Sequence, residues 1–196
     1  RYHNHLHGKK ESVRYDPATG ESEIKRVNTC CEVMAAPFMA RLPQYIYSID
    51  NEGLWINLFA GSQIAWANHG KRLTLTTKTE FPYDGAVEFS IATQSATAMS
   101  LRLRIPSWVT EPLTVEINGT PSATGAPGSY VGLARTWQDG DTVTMVLPMA
   151  FRLTRYIGLD QHPKRDRYAL SYGPLLMALV GASDLDLTPE ELPEAL

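Results

Sequence analysis

The stretch Lys71-Arg72-Leu73-Thr74-Leu75-Thr76-Thr77-Lys78-Thr79, the turn Pro82-Tyr83-Asp84-Gly85 and the run Ala86-Val87-Glu88-Phe89-Ser90-Ile91-Ala92 together decide the fold. Both runs alternate apolar and polar residues, the period of a strand with one buried face. Pro82-Tyr83-Asp84-Gly85 between them is a turn.

Working outward, short strand-like runs recur on both sides of this pair. They cover residues 54–59, 63–66, 99–105, 113–117, 130–133, 141–147, 151–156, 167–172 and 174–180. Asp84-Gly85, Asn118-Gly119 and Asp139-Gly140 punctuate them. Many short strands with turn signals at this spacing predict a mainly β chain built as a β-sandwich. The last run, Pro174-Leu175-Leu176-Met177-Ala178-Leu179-Val180, has no alternation and is expected to be buried on both faces.

The N-terminal quarter reads differently. Residues 1–29 are polar and turn-rich, and with the turn signal Asp16-Pro17-Ala18-Thr19-Gly20 they read as a long loop or a short hairpin from Val13-Arg14-Tyr15 to Glu23-Ile24-Lys25. Val33, Met34, Phe38, Leu42, Tyr45 and Ile46 recur at helical spacing. Thr29 and Glu32 would form a capping box at the start of that helix. Pro37 and Pro43 then predict a kinked helix or two short ones over 31–48. The expected organisation is a loop and helix over 1–50, a sandwich over 51–183 and an acidic tail over 184–196. The polar start at Arg1-Tyr2-His3-Asn4-His5 is expected to be the beginning of a piece of a longer protein.

Hydrophobic residues make up 43% of the chain and charged residues 20%, enough apolar material for a core. The net charge is -3 and no basic run exceeds Lys9-Lys10, so no nucleic-acid footprint is present. No apolar stretch approaches the ~18 residues of a membrane-spanning helix.

The chain has two cysteines, and they are adjacent: Cys30-Cys31. A disulfide between neighbours closes a strained ring. Three readings remain: a metal site, a nucleophile, or two small buried apolar residues. Zinc usually takes four ligands, and the common Cys-x-x-Cys spacing is absent. The first turn of a helix lowers a thiol pKa, which favours a thiolate nucleophile. One pair of cysteines fixes no redox compartment.

Other candidates have weaker patterns. His3, His5 and His7 alternate and would share one face of a strand, but they also suit a solvated terminal segment. Glu32 is an acid or ligand candidate beside its capping role. His69 and His162 sit in turn-like contexts. Trp55, Trp66, Trp108 and Trp137 raise a carbohydrate-stacking reading, set against the usual place of tryptophan in a sandwich core or interface.

Several landmarks occur together in order. Thr29-Cys30-Cys31 precedes Ala40-Arg41-Leu42, Tyr45-Ile46-Tyr47-Ser48, Gly53-Leu54-Trp55-Ile56-Asn57-Leu58-Phe59 and Phe81-Pro82-Tyr83-Asp84-Gly85. There follow Leu101-Arg102-Leu103-Arg104-Ile105-Pro106-Ser107-Trp108, Val115-Glu116-Ile117-Asn118-Gly119 and Arg135-Thr136-Trp137-Gln138-Asp139-Gly140-Asp141. Leu147-Pro148-Met149 and Tyr168-Ala169-Leu170-Ser171-Tyr172-Gly173-Pro174-Leu175 complete the set. This order resembles the C-terminal part of glycoside hydrolase family 127, the former DUF1680 group.

The resemblance implies an (α/α)6 barrel upstream, of which residues 1–50 would be the end, followed by β-sandwich domains. It implies a retaining β-L-arabinofuranosidase with a zinc-bound cysteine nucleophile and a glutamate acid/base. Cys30 would be the nucleophile and a zinc ligand, and Cys31 a second ligand. The remaining glutamate and cysteine ligands, and the acid/base, would lie upstream. Where the family continues Cys-Cys with Pro-Pro-Asn, this chain has Glu32-Val33-Met34. The implied partners are an L-arabinofuranoside-like carbohydrate and the barrel, with no nucleic acid and no membrane. A bacterial source is implied, with the cytoplasm favoured over the periplasm or secretion. The chain alone is expected to be inactive. The alternative is a non-catalytic sandwich that supports the barrel or binds glycans.

Overall fold

A computed structural model describes residues 13–15, 18, 22–24, 37–68, 70–157 and 166–178. Two compact units emerge, one from residues 1–42 with 177–196 and the other Pro43–Leu176. In the first, β1 (Val13–Tyr15) and β2 (Ser22–Ile24) pair antiparallel, the hairpin of the two readings, with Arg14 opposite Glu23.

The second unit contains thirteen described strands. In chain order they are β3 (Tyr47–Ile49), β4 (Gly53–Ile56), β5 (Ser62–Asn68), β6 (Lys71–Thr79), β7 (Ala86–Thr93) and β8 (Thr97–Arg104). Then come β9 (Leu113–Ile117), β10 (Thr120–Gly125), β11 (Tyr130–Trp137), β12 (Thr142–Val146), β13 (Phe151–Arg155), β14 (Tyr168–Tyr172) and β15 (Leu175–Leu176). A six-stranded sheet has the order β10-β9-β12-β7-β6-β5, and a four-stranded sheet the order β11-β8-β4-β3. The third sheet, β13-β14-β15, follows them in the chain.

The alternation read from the sequence becomes the core. Leu73 and Leu75 on β6 and Val87, Phe89 and Ile91 on β7 are buried, and Leu75 lies opposite Ile91. From the other sheet Leu54, Ile56, Leu101, Leu103, Leu133 and Trp137 join the same apolar cluster. Trp137 is fully buried and donates its indole N–H to the Met99 carbonyl at 3.2 Å, so its one polar atom is satisfied. Each fully buried side chain of this size contributes about 1.5–3 kcal/mol.

The topology alternates between sheets. After β4 the chain crosses to build the β5-β6-β7 meander, then returns as β8 beside β4, the one parallel pair among the described strands. Gly53 makes that pairing possible: a Cβ there would run into the Ser100 carbonyl of β8. The β9-β10 hairpin turns at Asn118-Gly119 with φ of 51° and 74°, the paired positive values of a two-residue hairpin turn. Strand β12 then inserts between β7 and β9.

Three expectations change. Residues 37–41 are helical, but Leu42–Tyr45 is a 3-10 turn and Tyr47–Ile49 is already a strand, so the helical period does not extend to 48. Pro43 cannot donate to a continuing α-helix, and Tyr47 pairs with Ile56 of β4 instead. The run 174–180 is not buried on both faces, since β15 spans only Leu175–Leu176 at a sheet edge and Leu176 is 54% exposed. Strand β10 has no counterpart among the expected strands. Its residues are mostly exposed at the edge of the six-stranded sheet, so they show no alternation.

Candidate functional site

Cys30, Cys31 and Glu32 lie outside the described residues, as do His3, His5, His7, His69 and His162. By donor chemistry two thiols suit zinc and supply half of a four-ligand set. Among the described residues no group of three or more His, Cys, Asp or Glu could hold a metal. No described helix is long and apolar enough to cross a membrane.

The four tryptophans do not form a platform. Trp66 and Trp137 are buried in the core, and half-buried Trp108 stacks on Phe81 at 6.4 Å against the same cluster. Trp55 alone stands on the outer face of the four-stranded sheet, where Tyr130 meets it edge to face at 4.9 Å and 80°. Flat sugar stacking across several of these tryptophans has no coplanar surface among the described residues.

Around Trp55 the sequence builds a polar network. Asp50 follows β3 and caps the turn into β4. Its Oδ1 accepts the backbone N–H groups of Glu52 and Gly53 at 2.8 and 2.9 Å, and its Oδ2 accepts the Trp55 indole N–H at 2.7 Å. Arg102 on β8 reaches Asp50 Oδ2 at 3.3 Å, pairs with Glu52, and lays its guanidinium over the Trp55 ring at 4.5 Å. Asp50 is held below the ordinary carboxylate value of 3.8. The Trp55 indole contributes most, followed by the Glu52 N–H; desolvation opposes them, and Gly53 and Arg102 add smaller amounts. At the other end of the face the Tyr130 hydroxyl donates to Asn57 Oδ1 at 2.8 Å, and the Asn57 amide donates to Ser48 at 2.9 Å.

A second network joins two of the landmark motifs. Asp141 is 7% exposed; it accepts from the Asn118 amide at 2.8 Å and the Gln138 N–H at 2.9 Å, with Arg135 at 3.7 Å. Asn118 in turn accepts the Thr142 N–H at 2.8 Å. Burial pushes the Asp141 carboxyl up, but Gln138, Asn118 and Arg135 outweigh it and hold the group below 3.8. The motifs Val115–Gly119 and Arg135–Asp141 thus share a structural role, which is to fasten the β9-β10 turn to the start of β12.

Sequence reasoning singled out Trp55 and missed Asp50, Glu52, Arg102, Asn57 and Tyr130. The Asp50-Asn51-Glu52-Gly53 turn was a readable signal. The pairing of Asp50 with Arg102 spans 52 residues and has no local trace.

Residues 53–149 match the family model described as beta-L-arabinofuranosidase, GH127 middle domain. A curated relative, the non-reducing end beta-L-arabinofuranosidase of Bifidobacterium longum subsp. longum, is 29% identical over 154 residues, covering 75% of this chain and 22% of the relative. Among solved structures, a GH127 beta-L-arabinofuranosidase from Geobacillus stearothermophilus T6 superposes with a TM-score of 0.67 at 29% identity, over 76% of this chain and 24% of that one. A second, described as a glycoside hydrolase, gives 0.66 at 26% identity over 86% and 28%. The chain therefore spans 22% to 28% of the length of these relatives.

Proposed function

The chain belongs to glycoside hydrolase family 127, and on that premise we propose that it is the sandwich-bearing part of a retaining hydrolase acting on β-L-arabinofuranosides. The observation that supports this most is the match of residues 53–149 to the middle domain of that family. In this reading Pro43–Leu176 is a non-catalytic support for a catalytic barrel, and Cys30-Cys31 belongs to the catalytic centre. The buried Trp66 and Trp137 favour support over glycan binding.

Cys30 is the proposed nucleophile. Its sulfur bonds to the anomeric carbon as the glycosidic C–O bond breaks, and the leaving oxygen takes a proton from a carboxylic acid outside this chain. Water then attacks that carbon, returns a proton to the carboxylate and releases the thiolate. Zinc held by Cys30, Cys31 and two further ligands would keep the thiol deprotonated.

The test uses the parent protein and nitrophenyl β-L-arabinofuranoside. Cys30→Ser should lower kcat by about 10³-fold or more. Unchanged turnover would remove the nucleophile assignment. The 196-residue chain alone should hydrolyse nothing, and turnover by it would overturn the division of labour.

A further inference from the structure

The two outer faces of the sandwich differ in kind. The six-stranded sheet presents Thr74, Thr76, Lys78, Glu88, Ser90 and Thr144, a solvated set in which Lys78 and Glu88 pair at 3.9 Å. The four-stranded sheet presents Trp55, Arg102, Arg104 and Tyr130. Tryptophan, tyrosine and arginine are the residues that dominate protein–protein hot spots.

Two details of this face have no explanation inside the described chain. The first concerns the arginines of β8, two residues apart and facing the same way. Arg102 is committed to Asp50, Glu52 and Trp55. The Arg104 guanidinium has no acceptor among the described residues, and its Nε is buried without a hydrogen bond. A buried donor left without an acceptor is costly, so an acceptor from elsewhere has a large effect to supply.

The second is Gly132, opposite Arg102 in the β8-β11 pairing. That register is unbroken, and a Cβ at Gly132 would meet nothing within 4 Å. Neither a bulge nor a close neighbour requires glycine here, and glycine weakens a strand interior. What is left for a strand glycine is to admit another backbone or a ligand closely. Ser100 and Ala134, paired one step further along, keep the floor beside it low.

We propose that this face is an interface within the parent polypeptide: it seats another folded part of that polypeptide, which brings main chain against Gly132 and a carboxylate to Arg104. This rests on the reading of the chain as the sandwich of a longer family 127 hydrolase. The relatives are about four times as long as the matched segment, which supplies the covering surface. A carboxylate on a guanidinium forms the strong, two-pronged hydrogen bond that Arg104 lacks. A sugar chain fits less well, because Arg102 covers a face of Trp55 and Tyr130 stands at 80° to that ring.

Hydroxyl-radical footprinting of the parent protein tests this. Tyr130 should be labelled several-fold less than Tyr83, beyond the difference that their exposures of 40% and 82% give. Gly132→Val and Arg104→Glu should each raise labelling of Tyr130 and Trp55 several-fold. Buried Trp137 is the internal check, since misfolding would expose it too, and Arg104→Glu stands in if Gly132→Val misfolds. Labelling of Tyr130 in proportion to its exposure overturns the proposal. Protection that appears only on adding an oligogalacturonate also overturns it, in favour of an acidic glycan. Arabinofuranoside hydrolysis is scored separately. Lost hydrolysis with intact protection counts against the catalytic reading alone, and the reverse counts against the interface alone.

Discussion

Asp50 and Asp141 each hold a turn at one end of the sandwich, and they do so at opposite levels of burial. Asp141 is 7% exposed and has three protein partners. The Asp50 side chain is 41% exposed and has four. More partners do not mean more stability. Water reaches the Asp50 carboxylate and weakens each of its contacts, whereas the Asp141 carboxylate is screened from water and its contacts are the stronger for it. What secures the Asp50 turn is the backbone at Gly53, whose missing Cβ lets β4 lie against β8.

The comparison breaks most visibly at Gly53. Gly53→Ala should destabilise the sandwich by about 3 kcal/mol, the upper range for overpacking, because the neighbour is a strand carbonyl that cannot swing aside. Urea unfolding monitored by circular dichroism measures it. A loss smaller than that of any Asp50 variant would show that the carboxylate, and not the backbone approach, secures this turn.

Asp141→Ala comes next. It removes two hydrogen bonds to a buried carboxylate, from the Asn118 amide and the Gln138 N–H, for a loss of about 2 kcal/mol by chemical denaturation. The pH dependence sharpens the same point. Folding holds the Asp141 carboxyl below 3.8, so its contribution is present above that value and is lost as pH falls through the folded one. The wild-type chain should therefore lose stability below 3.8 more steeply than Asp141→Asn, which has no carboxylate to protonate. Parallel acid-unfolding curves for the two would assign the acid sensitivity to other groups.

What could be read from the sequence divides along the same line between local and distant. The alternation of Leu73, Leu75, Val87, Phe89 and Ile91 and the Asn118-Gly119 turn are encoded within a few residues, and the structure places them as expected. Strand β10 is written in edge residues with little burial to pattern them, so it left no period. The parallel β4-β8 pair and the Asp50–Arg102 contact join residues about fifty positions apart, where spacing rules carry no information. The Cys30-Cys31 pair was conspicuous as a pair of neighbours, yet a chemistry for it is implied only by the ordered landmarks of a family, and it lies outside the described residues.

The smallest expected effect is at Asp50, and it is the sharpest test of the comparison. Asp50→Ala removes the acceptor of the half-buried Trp55 indole and of two turn N–H groups, that of exposed Glu52 and that of buried Gly53. The melting temperature should move less than in Asp141→Ala, because the Asp50 carboxylate is itself exposed and its contacts are screened by water. The local environment should still change. With the carboxylate gone, Arg102 keeps Glu52 and the ring of Trp55, while the indole N–H turns to solvent. The core Trp66 and Trp137 are untouched and Trp108 stays stacked on Phe81, so a red shift in the intrinsic fluorescence would come from Trp55. A thermal shift as large as that of Asp141→Ala would mean that the exposed network stabilises as much as the buried one, and burial would then not be what separates the two aspartates.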